Sequence, residues 1–180
     1  MDTFDELGLS PEILKALAEI GFETPTEIQK NAIGELLENE RDLMGLAQTG
    51  TGKTAAFALP LIDLMDHNAD FTQAIILAPT RELVQQIAAE MKSFSKYKKK
   101  LNMSTVYGGT SISEQIRQIK RNTPHIIIAT PGRLIDLIGR KVVNLTDINY
   151  LVLDEADEML NMGFQEEIDK ILEGTNEDKK

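Results

Sequence analysis

The chain is organised around residues 47–54, which read A-Q-T-G-T-G-K-T. An apolar run at 43–46 precedes this segment and a helix-forming run at 55–59 follows it, so the pattern predicts a strand, a loop and a helix. Gly50 and Gly52 allow a tight bend in which successive backbone N–H groups turn towards an anion, and the positive end of the following helix strengthens the attraction. The segment therefore predicts a phosphate-binding loop.

Two side chains of the loop indicate what kind of phosphate it binds. Lys53 offers a mobile positive charge to the outer phosphates, and the Thr54 hydroxyl can ligate the Mg²⁺ that bridges them. The usual pattern begins with Gly, whereas Ala47 stands here, and a plain Gly/Thr turn is the alternative interpretation. Gly-Lys-Thr at a strand-to-helix junction favours a magnesium nucleoside triphosphate. The expected ligands are Ala47, Gln48, Thr49, Gly50, Thr51, Gly52, Lys53 and Thr54.

The composition narrows the class of protein. With 180 residues, of which 42% are hydrophobic, the chain is expected to form one globular domain. There is no Cys, which excludes disulfides and thiolate metal sites, and the two His residues cannot form a zinc site without other ligands. The N-terminus is acidic, unlike a signal peptide, and no apolar run has the length of a membrane helix. We expect a cytoplasmic monomer without a membrane partner.

The charge is unevenly distributed along the chain. The net charge is −10, yet residues 71–141 hold 12 Lys and Arg against 4 Asp and Glu. This segment is where a nucleic acid would bind. The lysines between residues 96 and 100 are interpreted as a solvated helix end, because cations suit a helix C-terminus.

Capping residues mark two helices before the loop. Ser10 precedes Pro11, which predicts the start of a helix. Residues 24–27 read T-P-T-E, which predicts a capping box and places Gln29 in the first turns of the next helix. A polar side chain there is usually solvated, but the Gln29 carboxamide can also match the donor and the acceptor on an adenine edge.

Apolar runs alternate with amphipathic helices along the rest of the chain. This alternation indicates a parallel sheet covered by helices on both faces, so the predicted fold class is α/β. The predicted strands after the loop are residues 74–78, 103–107, 125–129 and 150–153. Ligands in such folds bind at the carboxyl ends of the strands. The segments expected to share that rim are 45–54, 79–81, 108–109, 130–133 and 154–157.

The last of these segments carries two adjacent acids. Asp154 directly follows a strand and can hold Mg²⁺ through water. Glu155 is free to orient and deprotonate the water that attacks a γ-phosphate, which favours hydrolysis over binding alone. The alternative is an acidic helix N-terminus stabilised by the helix dipole, and the phosphate loop makes that interpretation the weaker one.

At this point the sequence resembles the DEAD-box RNA helicases over nearly its whole length. Besides A-Q-T-G-T-G-K-T and D-E-A-D, it carries G-F-E-T-P-T-E-I-Q at 21–29, which is similar to the adenine-reading Q motif of that family. Phe4, seventeen residues upstream, corresponds to the family's stacking aromatic. P-T-R-E-L at 79–83, Gly108-Gly109 and T-P-G-R at 130–133 complete the pattern. The overall likeness is greatest to bacterial cold-shock and ribosome-assembly members.

The resemblance implies a RecA-like lobe, with a Q-motif region at 1–30 and the ATP-binding lobe at 31–180. It implies an RNA-dependent ATPase that, with a second lobe, hydrolyses ATP to separate short RNA duplexes with little sequence specificity. Lys53, Asp154 and Glu155 would be catalytic, with Thr54 and Asp154 on Mg²⁺, and Asp157 would couple the lobes. The residues implied for RNA binding are Pro79, Thr80, Arg81, Gly108, Gly109, Thr130, Pro131, Gly132 and Arg133.

One part of the family pattern is missing. The family continues with a Ser-Ala-Thr strand and a second lobe that brings arginine fingers and half of the RNA site, and neither lies within the 180 residues. In the resembling fold that strand lies between the phosphate-loop strand and the D-E-A-D strand, so its absence would leave backbone groups unpaired. We therefore expect a truncated lobe and a longer natural protein.

Two other functions remain open from the sequence. The chain could be another phosphate-loop NTPase such as a GTPase, since residues 136–139 read D-L-I-G and fit the loose D-x-x-G pattern. These residues fall in a predicted helix, and no guanine-reading N-K-x-D sequence occurs. The chain could also be an ATP- and RNA-binding fragment that has no activity.

Overall fold

Four short strands form a parallel β-sheet in the computed structural model, which describes residues 3–38, 41–48, 50–175 and 179–180. By internal contacts the chain divides into two units. The first unit is Met1–Met65 with Ala89–Lys100, and the second unit is Asp66–Ala88 with Leu101–Lys180. The functional boundary predicted at residue 30 stays a prediction.

The first unit is built from helices around an apolar interior. Its elements are a 3₁₀ helix Phe4–Leu7, α1 Pro11–Glu19, α2 Glu27–Glu38, α3 Lys53–Leu64 and the end of α4, which spans Arg81–Phe94. α2 packs against α3. Ile13, Leu17 and Ile33, which the sequence places on the apolar faces of α1 and α2, are almost wholly buried.

The second unit contains the sheet and the remaining helices. Besides the first part of α4, it contains β1 Ala74–Leu77, β2 Met103–Val106, α5 Ile112–Arg121, β3 Ile126–Ala129, α6 Pro131–Gly139, β4 Tyr150–Leu153, α7 Ala156–Asn161 and α8 Gln165–Gly174. The strand order is β2-β3-β1-β4, with every neighbouring pair parallel. The predicted α/β fold with a parallel sheet is thus confirmed.

Burial explains why the two central strands consist of apolar residues throughout. Every residue of β1 and β3 is fully buried, so both faces of these strands are covered. On one face Ile75, Leu77 and Ile127 lie in a core with apolar side chains from α5, α6, α7 and α8. β4 pairs with β1 on one side and is only half-buried. At its other edge Lys180 N–H donates to the Asn149 carbonyl oxygen at 2.7 Å.

The predicted strand before the phosphate loop is wrong for this structure. Residues 41–48 form no β-ladder among the described residues. Leu43, Met44 and Leu46 are 43%, 88% and 91% exposed. Their composition suits a sheet interior, but a strand forms only where a neighbour pairs with its backbone, and none of the four described strands does so here.

The helix starts are correct, but their capping side chains differ from the prediction. Ser10 precedes α1, yet its hydroxyl donates to Asp63 Oδ1 at 2.6 Å and does not cap the helix. Instead of the capping box predicted at residues 24–27, Thr26 and Gln29 form one half of such a motif: Thr26 N–H donates to Gln29 Oε1 at 2.9 Å, while the Thr26 hydroxyl donates to the Thr51 carbonyl oxygen. The amphipathic segments that form α7 and α8 were not predicted as helices.

The interpretation of the lysine cluster as a solvated helix end is wrong for Lys98. Lys98 forms an ion pair with Asp63 at 2.6 Å, and the side chains are 13% and 10% exposed. Lys96 forms an ion pair with Glu19, and the pKa of Glu19 is lowered by hydrogen bonds from Lys96 and Tyr97. The Lys98 pair is nearly buried and neutralises that lysine, whereas the Lys96 side chain is 57% exposed, as the solvated interpretation predicts.

Within the described residues, no helix combines the length and the apolar character that crossing a membrane requires.

Candidate functional site

The phosphate loop of the first unit has the backbone bend that its sequence predicts. Gly50 and Gly52 have φ values of 81° and 83°, in the left-handed region that glycine adopts without strain. α3 begins directly afterwards at Lys53. Gly52 has no side chain that could cap the helix, so within the described residues the first N–H groups of α3 remain available to an anion.

The predicted loop residues differ in accessibility. Gln48 and Gly50 are exposed, and Ala47, Thr51, Gly52, Lys53 and Thr54 are half-buried. The Thr51 hydroxyl donates to the Gln48 carbonyl oxygen at 2.7 Å and closes the turn. Thr49 lies outside the described residues.

The Q-motif residues hold this loop from α2, a contact that sequence reasoning missed. Gln29 is 2% exposed, and its Nε2 donates to the Gly52 carbonyl oxygen at 3.2 Å. The Thr26 hydroxyl donates to the Thr51 carbonyl oxygen at 2.9 Å. Since Gln29 Oε1 also accepts from Thr26 N–H, both ends of the carboxamide are engaged. The Thr-x-x-Gln spacing at 26–29 was the available signal.

The contact between Gln29 and Gly52 leaves no room for a side chain at position 52. A Cβ atom built on Gly52 would lie 2.3 Å from Gln29 Nε2. Glycine is therefore required twice here, for its positive φ and for the close approach of Gln29.

Phe4 lies inside an aromatic cluster and does not offer an open ring face. It is 4% exposed, and its ring centroid is 6.0 Å from that of Phe22. Phe22 in turn packs edge-on against Phe94 at 5.7 Å. Stacking of a base on Phe4 would require the 3₁₀ helix Phe4–Leu7 to shift, so this role stays a prediction.

The acid pair of the second unit follows β4 through an unusual backbone turn. Asp154 N–H donates to the Leu77 carbonyl oxygen at 2.9 Å, which fixes the end of the strand. Glu155 has φ 52° and ψ 50°, a left-handed conformation that costs a non-glycine residue about 1–3 kcal/mol. Lys100 and Lys141 also have positive φ values, of 74° and 56°, so the conformation alone does not assign a role to Glu155, and the proposed base stays a prediction. Asp157, in the first turn of α7, is exposed.

The side-chain oxygens of Thr54 and Asp154 are of a type that suits the predicted Mg²⁺ ion. The predicted Mg²⁺ ligands, Thr54 and Asp154, carry hydroxyl and carboxylate oxygens, which this hard cation prefers. Among the described residues no three His, Asp or Glu side chains converge to hold a metal by themselves. Each of these groups suits an ion that also takes phosphate oxygens as ligands, and a site shared by Thr54 and Asp154 stays a prediction.

The predicted RNA-binding segments lie at the carboxyl ends of β1, β2 and β3 in the second unit. After β1, the Thr80 hydroxyl accepts a hydrogen bond from Leu83 N–H at 3.2 Å and caps α4. Arg81 is exposed and its guanidinium lies 5.1 Å from the centre of the Tyr107 ring. A Cβ on Gly109, whose φ is 81°, would lie 3.7 Å from Arg81 Nη1. The first two segments therefore meet.

The third segment joins them through Arg133. Its Nη1 and Nη2 donate to the Thr110 carbonyl oxygen, each at 3.2 Å, and Nη1 donates to Gln115 Oε1 at 2.9 Å. Gln115 Nε2 donates to the Tyr107 carbonyl oxygen at 3.1 Å and to Thr110 Oγ1 at 2.8 Å. Thr130 N–H donates to the Val106 carbonyl oxygen at 2.9 Å.

Some of the predicted RNA residues are not accessible. Pro79, Thr130 and Pro131 are buried, so they shape the loops, whereas Gly108 and Gly109 are exposed and Gly132 is half-buried. Sequence reasoning missed Tyr107 and Gln115. Gln115 had a signal, since it is a polar residue on the same helical face as Ile112 and Ile119.

Comparisons with known proteins agree with this geometry. A sequence model of the DEAD/DEAH box helicases matches residues 26–180. RNA helicase CrhR of Synechocystis sp. is 54% identical over 173 residues, and the DEAD-box ATP-dependent RNA helicase CshA of Bacillus cereus is 49% identical over 172. Both alignments cover 96% of this chain, which spans 34% and 32% of the length of those relatives.

Solved structures show the same fold. A DEAD box protein from Methanococcus jannaschii matches with a TM-score of 0.94 and 46% identity, over 100% of this chain and 48% of that one. Yeast Dbp5 bound to Gle1 matches with a TM-score of 0.90 and 34% identity, over 100% of this chain and 45% of that one.

Proposed function

Because this chain belongs to the DEAD/DEAH box helicase family, we propose that it is the nucleotide-binding lobe of an ATP-dependent RNA helicase. It binds ATP with Mg²⁺ and the RNA backbone, and a second RecA-like lobe completes the enzyme. The small share of each relative that the chain spans supports the second lobe.

The residues have separate tasks in this proposal. The loop N–H groups and Lys53 would bind the phosphates of ATP, and Thr54 and Asp154 would hold Mg²⁺, which would offset the charge on the phosphate oxygens. Glu155 would accept a proton from the attacking water, whose oxygen bonds to the γ-phosphorus as the bond to the bridging β-phosphate oxygen breaks, so that ADP and inorganic phosphate leave. Arg81 and Arg133 face the RNA with positive charge, and the glycine turn gives the backbone access to phosphates.

The observation that carries the proposal is the left-handed conformation of both loop glycines directly before α3. It predicts that the chain binds Mg-ATP and that Lys53→Ala weakens this binding about tenfold or more, since a charged contact to phosphate is lost. Displacement of a fluorescent ATP analogue measures it, with exposed Lys99→Ala as the control. Equal affinity of Lys53→Ala and the parent chain would contradict the proposed phosphate site.

A second experiment tests the choice of base. Gln29→Ala is expected to weaken both ATP and GTP, because it removes the bonds to Thr26 and Gly52 that hold the loop. The loss for ATP should exceed that for GTP by about 1–3 kcal/mol if the carboxamide also reads adenine. Competition binding with both nucleotides measures the difference, and exposed Asn31→Ala on α2 is the control.

The outcome of that experiment separates two roles of Gln29. Equal losses for ATP and GTP would show that Gln29 supports the loop and does not read the base. A GTPase is disfavoured by the structure as well, because residues 136–139 lie at the end of α6 and not in a loop.

A further inference from the structure

Arg133 occupies a position that is electrostatically unfavourable for a cation. It lies in the first turn of α6, where the helix dipole is positive and no acidic side chain is present. Such a placement costs stability unless other groups hold the guanidinium. The groups that do so are the Thr110 carbonyl oxygen and Gln115 Oε1.

Both arginines of the rim are held by neutral groups. Arg81 stacks on the Tyr107 ring, and Arg133 is held by a carbonyl and a carboxamide. Among the described residues neither arginine takes part in an ion pair. The two positive charges are therefore fixed in place without being neutralised, which leaves both to an anionic ligand.

Gln115 connects the two arginines through the turn after β2. The residue is 7% exposed, and its carboxamide uses both donors and its acceptor: Nε2 binds Tyr107 O and Thr110 Oγ1, and Oε1 binds Arg133. The Arg81 guanidinium stacks on the Tyr107 ring. The Tyr107 hydroxyl in turn accepts a hydrogen bond from Gln85 Nε2 at 2.9 Å. One buried side chain thus sets the turn against which both cations are placed.

We infer that Gln115 is a positioning residue for RNA binding, which fixes Arg133 against the turn after β2. The inference rests on the proposed function, in which this rim binds RNA. Gln115 itself does not touch the RNA, because it is buried.

The test is a double-mutant cycle on the 180-residue chain, with a fluorescein-labelled single-stranded oligouridine as the probe and anisotropy at low salt as the measurement. Gln115→Leu is expected to raise the Kd about tenfold, the effect of losing one charged hydrogen bond. In an Arg133→Ala background the same change should alter the Kd less than about twofold, because Gln115 acts through that arginine. Gln118→Leu, exposed on the same helix, is the matched control.

The salt dependence gives a readout that general destabilisation would not move. Loss of one phosphate contact on a single strand lowers the slope of log Kd against log salt by about 0.7, so Gln115→Leu should shift the slope as Arg133→Ala does. Gln115→Glu is the second variant, for use if Gln115→Leu unfolds. The glutamate still accepts a hydrogen bond from Arg133, but its negative charge neutralises the arginine, so this variant should also weaken RNA binding.

Each result has one meaning. If Arg81→Ala and Arg133→Ala leave the Kd unchanged, the rim does not bind RNA and the proposed function fails there together with the inference. If the arginine variants weaken binding but Gln115→Leu and Gln115→Glu do not, the inference alone is overturned. A full effect of Gln115→Leu in the Arg133→Ala background overturns it as well, since Gln115 would then act independently of Arg133.

Discussion

Replacing Glu155 by glutamine in the complete enzyme should lower ATP turnover about 10²–10⁴-fold, the range that a general base contributes. The substitution keeps the shape of the side chain and leaves Asp154 in place, so the affinity for Mg-ATP should remain close to that of the parent. Single-turnover hydrolysis and nucleotide binding, measured on the same preparation, separate the two quantities.

A matched control is available on the same helix. Glu158→Gln removes the same charge from an exposed position of α7 and should leave turnover unchanged. If Glu155→Gln hydrolyses ATP at the parent rate, another group is the base. If it loses nucleotide affinity in parallel with turnover, the left-handed backbone at Glu155 has changed with the substitution.

The 180-residue chain by itself should hydrolyse ATP about 10³–10⁵-fold more slowly than a protein that also carries the second lobe, because that factor is what an arginine finger supplies. The two arginines of the rim are held by Tyr107, Thr110 and Gln115, and we assign them to RNA. Stimulation of the ATPase by RNA and separation of a short RNA duplex should both be absent. Steady-state ATPase and duplex-separation assays on the two proteins provide the comparison.

This expectation has a clear contrary result. Robust duplex separation by the 180-residue chain, with its mass confirmed as 20.0 kDa, would show that one lobe is sufficient. Weak RNA binding that disappears as salt is raised is compatible with the expectation, because few phosphate contacts are available on a single lobe.

The sheet could be predicted from the sequence because its signals are local. The four segments predicted as strands correspond to β1–β4, and the central pair, β1 and β3, is buried as an unbroken apolar run predicts. The strand expected at 43–46 failed because a strand also needs a partner. Local composition at Leu43, Met44 and Leu46 does not carry that information.

The site was predictable as far as its motifs extend. The acid pair and the three rim segments follow the strands that the sequence predicted, and the glycines of the phosphate loop directly precede the predicted helix, although the strand expected before them is absent. The groups that hold them were not predictable, because they depend on contacts between distant residues. Thirty-five positions separate Lys98 from Asp63, and 18 positions separate Arg133 from Gln115. A short-range sequence pattern does not predict pairs at such distances.

The close approach of Gln29 to Gly52 also bears on how this sequence can change over generations. A substitution at position 52 would bring a Cβ to 2.3 Å from the carboxamide, and a larger side chain at position 29 would press on the same backbone. A residue other than glycine at position 52 would therefore require the Gln29 side chain to move as well. Under the proposed function, a change in the phosphate loop would thus also disturb the side chain proposed to read the base.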